Sequence, residues 1–225
     1  MGFQSIAIDG PAGAGKSTLA RRLAGALGFL YVDTGAIYRT LGLFALRSGV
    51  DPADPAAMEA LLPRISLRID YGPDGGQHMF LGQEDVTQAI RLPEVSRASS
   101  AVSAIPAVRA YLLEMQRGLA GSRNVVMDGR DIGTVVLPQA DVKVFLTASP
   151  EARAQRRYAE LSARGTPQDY AAVLADMIER DRKDTTRAAA PLRQAEDAVL
   201  VDTTDLDLEE SLHKLINTVR ERLPL

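Results

Sequence analysis

The sequence contains no cysteine and only two histidines, His78 and His213, among its 225 residues. Without cysteine the chain forms no disulfide, offers no thiolate nucleophile and builds no cysteine-based metal site. Two histidines so far apart in the sequence are too few for most histidine-centred metal chemistry. Aromatic residues make up 5% of the chain, which provides no platform for stacking nucleic-acid bases.

Positive charge is not in excess, and long apolar runs are missing. The 26 lysines and arginines face 29 aspartates and glutamates, so the net charge is −3, which disfavours nucleic-acid binding. No apolar run approaches the roughly 20 residues that span a bilayer. The N-terminus lacks the pattern of a signal peptide. We therefore expect a cytoplasmic protein that binds neither nucleic acid nor a membrane.

Lysine is also scarce, because the chain has four lysines and its other 22 basic residues are arginines. A planar guanidinium suits phosphate groups, whereas a lysine acts as a flexible point charge. The bias has two explanations: a codon preference that replaces lysine everywhere, or a phosphate site that needs arginine. The positions of the arginines decide between them.

The apolar residues predict an α/β fold. Hydrophobic residues are 46% and charged residues 24% of the chain, the balance of a soluble globular protein with a sizeable core. Five short, near-continuous apolar runs are typical of buried parallel strands, and segments of helical periodicity separate them. We therefore expect a five-stranded parallel sheet between two layers of helices. The predicted strands are residues 6–9, 30–33, 125–128, 142–146 and 199–202.

Two stretches depart from this alternation of strand and helix. In residues 67–86, apolar and polar side chains alternate on both sides of a Gly/Pro-rich turn, which predicts an antiparallel hairpin. Residues 151–187 are crowded with arginine and are interrupted by Gly165-Thr166-Pro167, which predicts a pair of helices. We expect both to be insertions into the parallel fold.

A phosphate-binding loop follows the first predicted strand. Residues 10–17 fit the pattern G-x-x-x-x-G-K-[ST] in full, between a strand and a helix. The glycines let backbone N–H groups face an anion, and the helix N-terminus adds partial positive charge. Lys16 is expected to reach the β- and γ-phosphates, and the Ser17 hydroxyl to bind Mg²⁺. The expected ATP-binding residues are Gly10, Pro11, Ala12, Gly13, Ala14, Gly15, Lys16, Ser17 and Thr18.

A second motif, Asp-Thr-Gly-Ala-Ile-Tyr-Arg at 33–39, follows the second strand. None of the four lysines lies in the Asn-Lys-x-Asp element of a GTPase, so we favour a small-molecule kinase with a second anion site. The ends of parallel strands face the ligand crevice. Thr34 either faces this crevice or caps the next helix. Arg39 either grips a phosphate or is a solvated surface arginine.

A third motif, Asp128-Gly129-Arg130-Asp131, follows the third strand. Asp128 comes directly after an apolar run, as does an acid that supports Mg²⁺ and its waters. The alternative is a charged turn that a local Asp–Arg pair holds together. Three such motifs at strand ends that share one crevice favour the functional interpretation.

These motifs resemble those of the bacterial cytidylate kinases, within the nucleoside monophosphate kinases. The resemblance rests on residues 10–18, 33–39 and 128–134, on Ser100 with Arg109, and on residues 179–187. It runs in order from Ile6 to about Pro191 and on through the last strand and helix. It implies a P-loop kinase fold with a helical lid, and transfer of phosphate from MgATP to CMP or dCMP.

The resemblance also implies residue roles. The cytosine would be read by Ser100, Arg109 and Asp131. The sugar hydroxyls would be held by Thr34, Arg180 and Asp184. The acceptor phosphate would be held by Arg39, Arg130 and Arg187. Tyr38 is also expected in the CMP site, and the catalytic residues would be Lys16, Asp128, Arg130 and Arg187.

The resemblance further implies how the chain is divided and which alternatives remain. The core would be residues 1–62, 92–150 and 188–225, with a monophosphate-binding insert at 63–91 and a lid at 151–187. We expect a monomer. Which of Arg153, Arg156 and Arg157 contacts ATP stays open. The rival functions are a kinase of another small acceptor, such as UMP or shikimate, and a regulatory module that binds ATP without turnover.

Overall fold

A five-stranded parallel sheet lies at the centre of the computed structural model, which describes residues 2–73, 75–163 and 165–223. All five predicted strands are confirmed. In spatial order the strands are β2 (Leu30–Asp33), β6 (Val125–Gly129), β1 (Ser5–Asp9), β7 (Val142–Thr147) and β8 (Val199–Asp202).

The register of three neighbouring strands positions the site. Asp33 at the end of β2 pairs with Asp128 of β6, and Asp9 at the end of β1 pairs with Gly129 of β6. Because all three strands run parallel, their carboxyl ends meet at one edge of the sheet. Three aspartates therefore lie at that edge, with Asp33 and Asp128 level and Asp9 one residue beyond them.

Helices cover both faces of the sheet. The bounds of the eight α-helices in the described residues are α1 (Lys16–Leu27), α2 (Thr34–Arg47), α3 (Pro55–Leu61), α4 (Pro93–Val102), α5 (Pro106–Ala120), α6 (Pro150–Ala163), α7 (Tyr170–Thr186) and α8 (Leu208–Arg220). On one face Ile6 and Ile8 pack with α1 and α8, and on the other Ala7 and Met127 pack with α5. Alternate residues of one strand thus supply two cores, as expected for a sheet that is buried on both sides.

The antiparallel insertion forms a sheet of its own. It consists of β3 (Leu67–Tyr71), β4 (Gln77–Leu81) and the short β5 (Glu84–Asp85), with β4 in the middle. The predicted hairpin is confirmed, although Asp74 in its turn lies outside the described residues. Met79 of β4 is fully buried among residues of α2, α4 and α5. The small sheet is therefore anchored to the core through β4.

The arginine-rich segment forms the predicted helical pair, α6 and α7, which pack on each other through Ala154, Leu161, Val173 and Met177. Between the two helices Gly165 has a φ of 71°, a left-handed conformation that suits glycine. Met177 of α7 lies over the phosphate loop, since a Cβ on Gly13 would be 3.0 Å from its Cε atom. Within the described ranges, no helix combines the length and apolarity that a membrane crossing requires.

Gly10 opens the phosphate loop at a point where no side chain fits. A Cβ there would lie 1.9 Å from the carbonyl oxygen of Leu146, and Gly10 has a φ of 151°. We expect Gly10→Ala to lower the free energy of unfolding by about 2 kcal/mol or more, measured by urea denaturation. Gly25→Ala is the matched control, because that site in α1 is open and alanine favours a helix by roughly 1 kcal/mol. Equal effects of the two substitutions would contradict this account.

Candidate active site

Asp9 fixes the turn that carries the third motif. Its two carboxylate oxygens accept hydrogen bonds from the backbone N–H groups of Ile132 (2.8 Å) and Gly133 (2.7 Å). Burial raises the pKa of Asp9 to about 6, although these two hydrogen bonds oppose the shift. The carboxylate at the end of β1 thereby holds the Asp-Gly-Arg-Asp turn against the sheet.

The phosphate loop has the backbone that an anion requires. Gly13 and Gly15 have φ values of 74° and 85°, and α1 begins directly after Gly15. The Lys16 ammonium donates to the carbonyl of Pro11 at 2.7 Å. Burial, and then the charge of Arg130, lower the pKa of Lys16 well below its usual value. Phosphate oxygens beside Lys16 would stabilise its charged form, which burial and Arg130 disfavour. The loop therefore fits a polyphosphate.

Asp128 is held in place from both sides. Ser17 donates its hydroxyl to Oδ2 of Asp128 at 2.9 Å, and Tyr31 donates to Oδ1 at 3.0 Å. Burial raises the pKa of Asp128, and the nearby charge of Asp33 adds to the rise. A hydroxyl and a carboxylate in contact are the oxygen ligands that suit Mg²⁺ with its waters. The arrangement fits the predicted Mg²⁺ site at Ser17.

Asp33 connects the start of α2 with Arg39 within the second motif. Its Oδ1 atom accepts from the N–H of Ala36 at 2.8 Å and so caps α2, while its Oδ2 atom pairs with Arg39 at 2.8 Å. Thr34 instead donates its hydroxyl to the carbonyl of Asp128 at 2.7 Å. The expectation that Thr34 could cap the helix is therefore wrong, because Asp33 occupies the N-cap position.

Arg39 is not a solvated surface residue. Its side chain is 18% exposed, and its Nε atom is buried without a hydrogen-bond partner among the described residues. An unpaired buried N–H is costly unless a ligand or water satisfies it. The guanidinium therefore offers a vacant donor beside its ion pair with Asp33.

Asp131 lies between two arginines from different parts of the chain. Arg109 of α5 forms a hydrogen-bonded ion pair with its Oδ2 atom, and Arg187 lies 3.5 Å from its Oδ1 atom. Arg109 also lies 5.5 Å from the centre of the buried Tyr38 ring. The alternative of a local Asp–Arg pair within the turn is wrong, because Arg130 turns away to Asp184 at 2.9 Å.

Ser100 is connected to this cluster through Ser103. Arg109 donates to the carbonyl of Ser103 at 3.1 Å, and the Ser103 hydroxyl donates to the carbonyl of Ser100 at 3.0 Å. The end of helix α4 is thus linked to Arg109, and Arg109 in turn pairs with Asp131. Within the described part of the chain, Ser100 is connected to this pair through its backbone carbonyl only.

The remaining arginines of the crevice repel one another. Burial, and then Arg130, lower the pKa of Arg180 to about 10, so Arg180 keeps its charge at neutral pH. Burial and Arg109 lower the pKa of Arg187 as well. The Nε atom of Arg180 is buried and has no partner in the part of the chain that is described. Such crowding of unsatisfied cations fits a bound polyanion.

Comparison with known proteins identifies the family. Residues 6–221 match the family model described as cytidylate kinase. The chain belongs to the cytidylate kinase family. It is 52% identical over 217 residues to the cytidylate kinase of Pelotomaculum thermopropionicum, covering 96% of each chain. It is 51% identical over 214 residues to that of Carboxydothermus hydrogenoformans, covering 95% of this chain and 96% of the relative.

A solved shikimate kinase from Bacteroides thetaiotaomicron has the same fold. It superposes with a TM-score of 0.50 at 17% identity, covering 99% of each chain. At this identity the likeness extends to the fold alone. The expected P-loop kinase architecture is thus confirmed, while the family assignment rests on the cytidylate kinases.

The structure separates the three lid arginines that the sequence left equivalent. Arg153 is buried, and its Nη1 atom donates to the carbonyl of Ala12 in the phosphate loop at 3.0 Å. Arg153 also pairs with Asp181 of α7 at 2.7 Å. Arg156 donates instead to the carbonyl of Thr203, and Arg157 pairs with Glu160 on the surface. Among the three, only Arg153 joins both lid helices to the phosphate loop.

Three residues of the site were missed by sequence reasoning. Asp9 carried a signal, because it ends the strand before the phosphate loop as Asp128 ends its own strand. Tyr31 acts through Asp128, 97 residues away, so no local pattern marks it. Gln77 lies in the insert and contacts Asp33, which depends on how two separate sheets pack.

Proposed function

We propose that this protein transfers the γ-phosphoryl group of MgATP to CMP and dCMP, forming ADP with CDP or dCDP. The observation that carries the proposal is Asp131, a carboxylate that two arginines hold in the crevice beside the phosphate loop. A carboxylate there suits the amino group of cytosine and repels the carbonyl of uracil. Membership of the cytidylate kinase family supports the same substrate.

Donor binding is assigned to the phosphate loop. Residues 10–18 would surround the ATP phosphates with backbone N–H groups, with Lys16 adding a point charge. Ser17 would bind Mg²⁺ directly, and Asp128 would support it through its waters. When bound, Mg²⁺ supplies positive charge that offsets the charge of the phosphates.

The acceptor side is assigned in three parts. Arg39, Arg130 and Arg187 would bind the acceptor phosphate. Thr34, Arg180 and Asp184 would hold the sugar, and Ser100, Arg109 and Asp131 would read the base, with Tyr38 beneath Arg109. The acceptor phosphate is already an anionic nucleophile at neutral pH, so no general base is needed. An arginine that neutralises charge during transfer contributes roughly 10³–10⁵ in rate.

The two insertions take separate roles in the proposal. The insert, residues 63–91, would bind the monophosphate, and the lid, residues 151–187, would close over ATP and exclude water. Packing of Arg153 and Met177 on the phosphate loop supports a lid in contact with the donor site. A cytoplasmic monomer that acts on small nucleotides remains our prediction for its cellular form.

An acceptor panel tests the function directly. With MgATP and one of CMP, dCMP, UMP, AMP or GMP, we expect ADP formation to be stimulated most by CMP and dCMP. A regulatory module would show no acceptor-dependent turnover, and a kinase of another acceptor would prefer a different member. Absence of stimulation by CMP would refute the proposal.

The assignment of Asp131 predicts a change in base preference. Asp131→Asn replaces one carboxylate oxygen by an NH₂ donor, which no longer repels uracil, so the ratio of kcat/KM for CMP to that for UMP should fall. We expect the fall to be at least about tenfold, because a lost buried polar contact is typically worth this or more. Asp176→Asn, an exposed position on the lid helix, is the control and should leave the ratio unchanged. An unchanged ratio in Asp131→Asn would remove the base-reading role.

A further inference from the structure

The side chain of Gln77 forms hydrogen bonds with the open edge of strand β2, at the start of the second motif (residues 33–39). Strand β2 is at the edge of the parallel sheet, so its outward-facing backbone groups have no neighbouring strand. The Gln77 carboxamide forms hydrogen bonds with both backbone groups of Asp33. Its Oε1 atom accepts from the N–H at 2.8 Å, and its Nε2 atom donates to the carbonyl at 3.2 Å. It pairs with Asp33 much as a residue of an adjacent strand would.

This pairing determines the orientation of the carboxamide. The N–H of Asp33 can be satisfied only by an acceptor and its carbonyl only by a donor, so the oxygen and nitrogen of Gln77 cannot be exchanged. Gln77 and Met79 lie on the same face of β4, and Met79 is fully buried in the core. The carboxamide therefore lies on the strand that anchors the insert to the core.

The position of the Asp33 backbone determines where Arg39 lies, because the Asp33 carboxylate binds the Arg39 guanidinium. The same residue caps α2 through Ala36 and pairs with Arg39, each at 2.8 Å. Arg91, at the end of the insert, also approaches the Asp33 carboxylate at 3.4 Å. The insert thus hydrogen-bonds with the backbone of Asp33 through Gln77 and with its carboxylate through Arg91.

We propose that Gln77 is a positioning residue for the acceptor site: it fixes the backbone of Asp33 and thereby the guanidinium of Arg39. This rests on the proposed function, in which Arg39 binds the acceptor phosphate. The donor site lies two strands away at the phosphate loop after β1, and among the described residues Gln77 makes no hydrogen bond there. Loss of the carboxamide should therefore weaken the acceptor side selectively.

Two variants of Gln77 test its two hydrogen bonds with Asp33. Gln77→Met keeps the length of the side chain but removes both bonds. Gln77→Glu keeps an acceptor for the Asp33 N–H but sets an oxygen against the Asp33 carbonyl. We expect both to raise KM for CMP about five- to thirtyfold, the range for one or two hydrogen bonds. KM for ATP should change less than about twofold.

The matched controls are Gln83→Met and Gln83→Glu, which change an exposed glutamine in the same insert. They should leave both KM values unchanged. Amide hydrogen exchange provides a readout independent of activity, because Gln77 protects the Asp33 N–H. Exchange at Asp33 should be at least about tenfold faster in Gln77→Met than in the wild type.

A double-mutant cycle tests whether Gln77 acts through Arg39. Arg39→Ala alone should raise KM for CMP more than KM for ATP. In the Arg39→Ala background, Gln77→Met should change KM for CMP less than about twofold, because the group it positions is gone. The positioning role is overturned if the full effect persists there, if both KM values rise equally, or if Asp33 exchange is unchanged. Wild-type enzyme without CMP turnover would refute the proposed function itself.

Discussion

Charge balance in a buried crevice is the constraint on which the site depends. Lys16 and the buried arginines around it repel one another, and burial further disfavours their charged forms. Carboxylates from three directions offset this repulsion, namely Asp128 from the sheet, Asp131 from the turn and Asp184 from the lid. A polyanion that binds in the crevice can therefore pair with these cations in place of the carboxylates or in addition to them.

The arrangement of the parallel strands positions the aspartates of the site. The parallel register of β1, β6 and β2 brings Asp9, Asp128 and Asp33 to one edge of the sheet, with Asp9 one residue beyond the level of the other two. Asp9 then holds the segment after β6, Asp128 holds the first turn of α1 through Ser17, and Asp33 caps the start of α2. Donor and acceptor elements are therefore fixed to one rigid sheet edge, which favours accurate alignment of two anionic substrates.

Much of this was predictable from sequence because the signals are local. Near-continuous apolar runs marked all five parallel strands, and the Gly-rich pattern marked the phosphate loop. The arginine excess also became interpretable by position, since Arg39, Arg109, Arg130, Arg180 and Arg187 lie in the crevice, whereas Arg47 pairs with Glu84 on the surface. Codon preference remains the better account of such exposed arginines.

The rest depended on contacts between distant segments. A local pattern allowed Thr34 as a helix cap, but the neighbouring β6 draws its hydroxyl to the Asp128 carbonyl. It allowed Arg130 and Asp131 as a pair, but each has a partner more than 20 residues away. Gln77 was missed for the same reason, because the packing of the insert on the core determines its contacts. Packing of the lid likewise determines which of the three lid arginines reaches the phosphate loop, and sequence left that choice open.

A donor site and a cytidine-reading acceptor site that face each other across this crevice should bind a single molecule that fills both. Calorimetric binding of adenosine and cytidine joined through a pentaphosphate, compared with its uridine counterpart, tests it most directly. The account predicts that, with Mg²⁺, the cytidine compound binds more tightly than ATP or CMP and at least about tenfold more tightly than the uridine compound. Equal affinities for the two compounds, or binding no tighter than that of ATP alone, would contradict it.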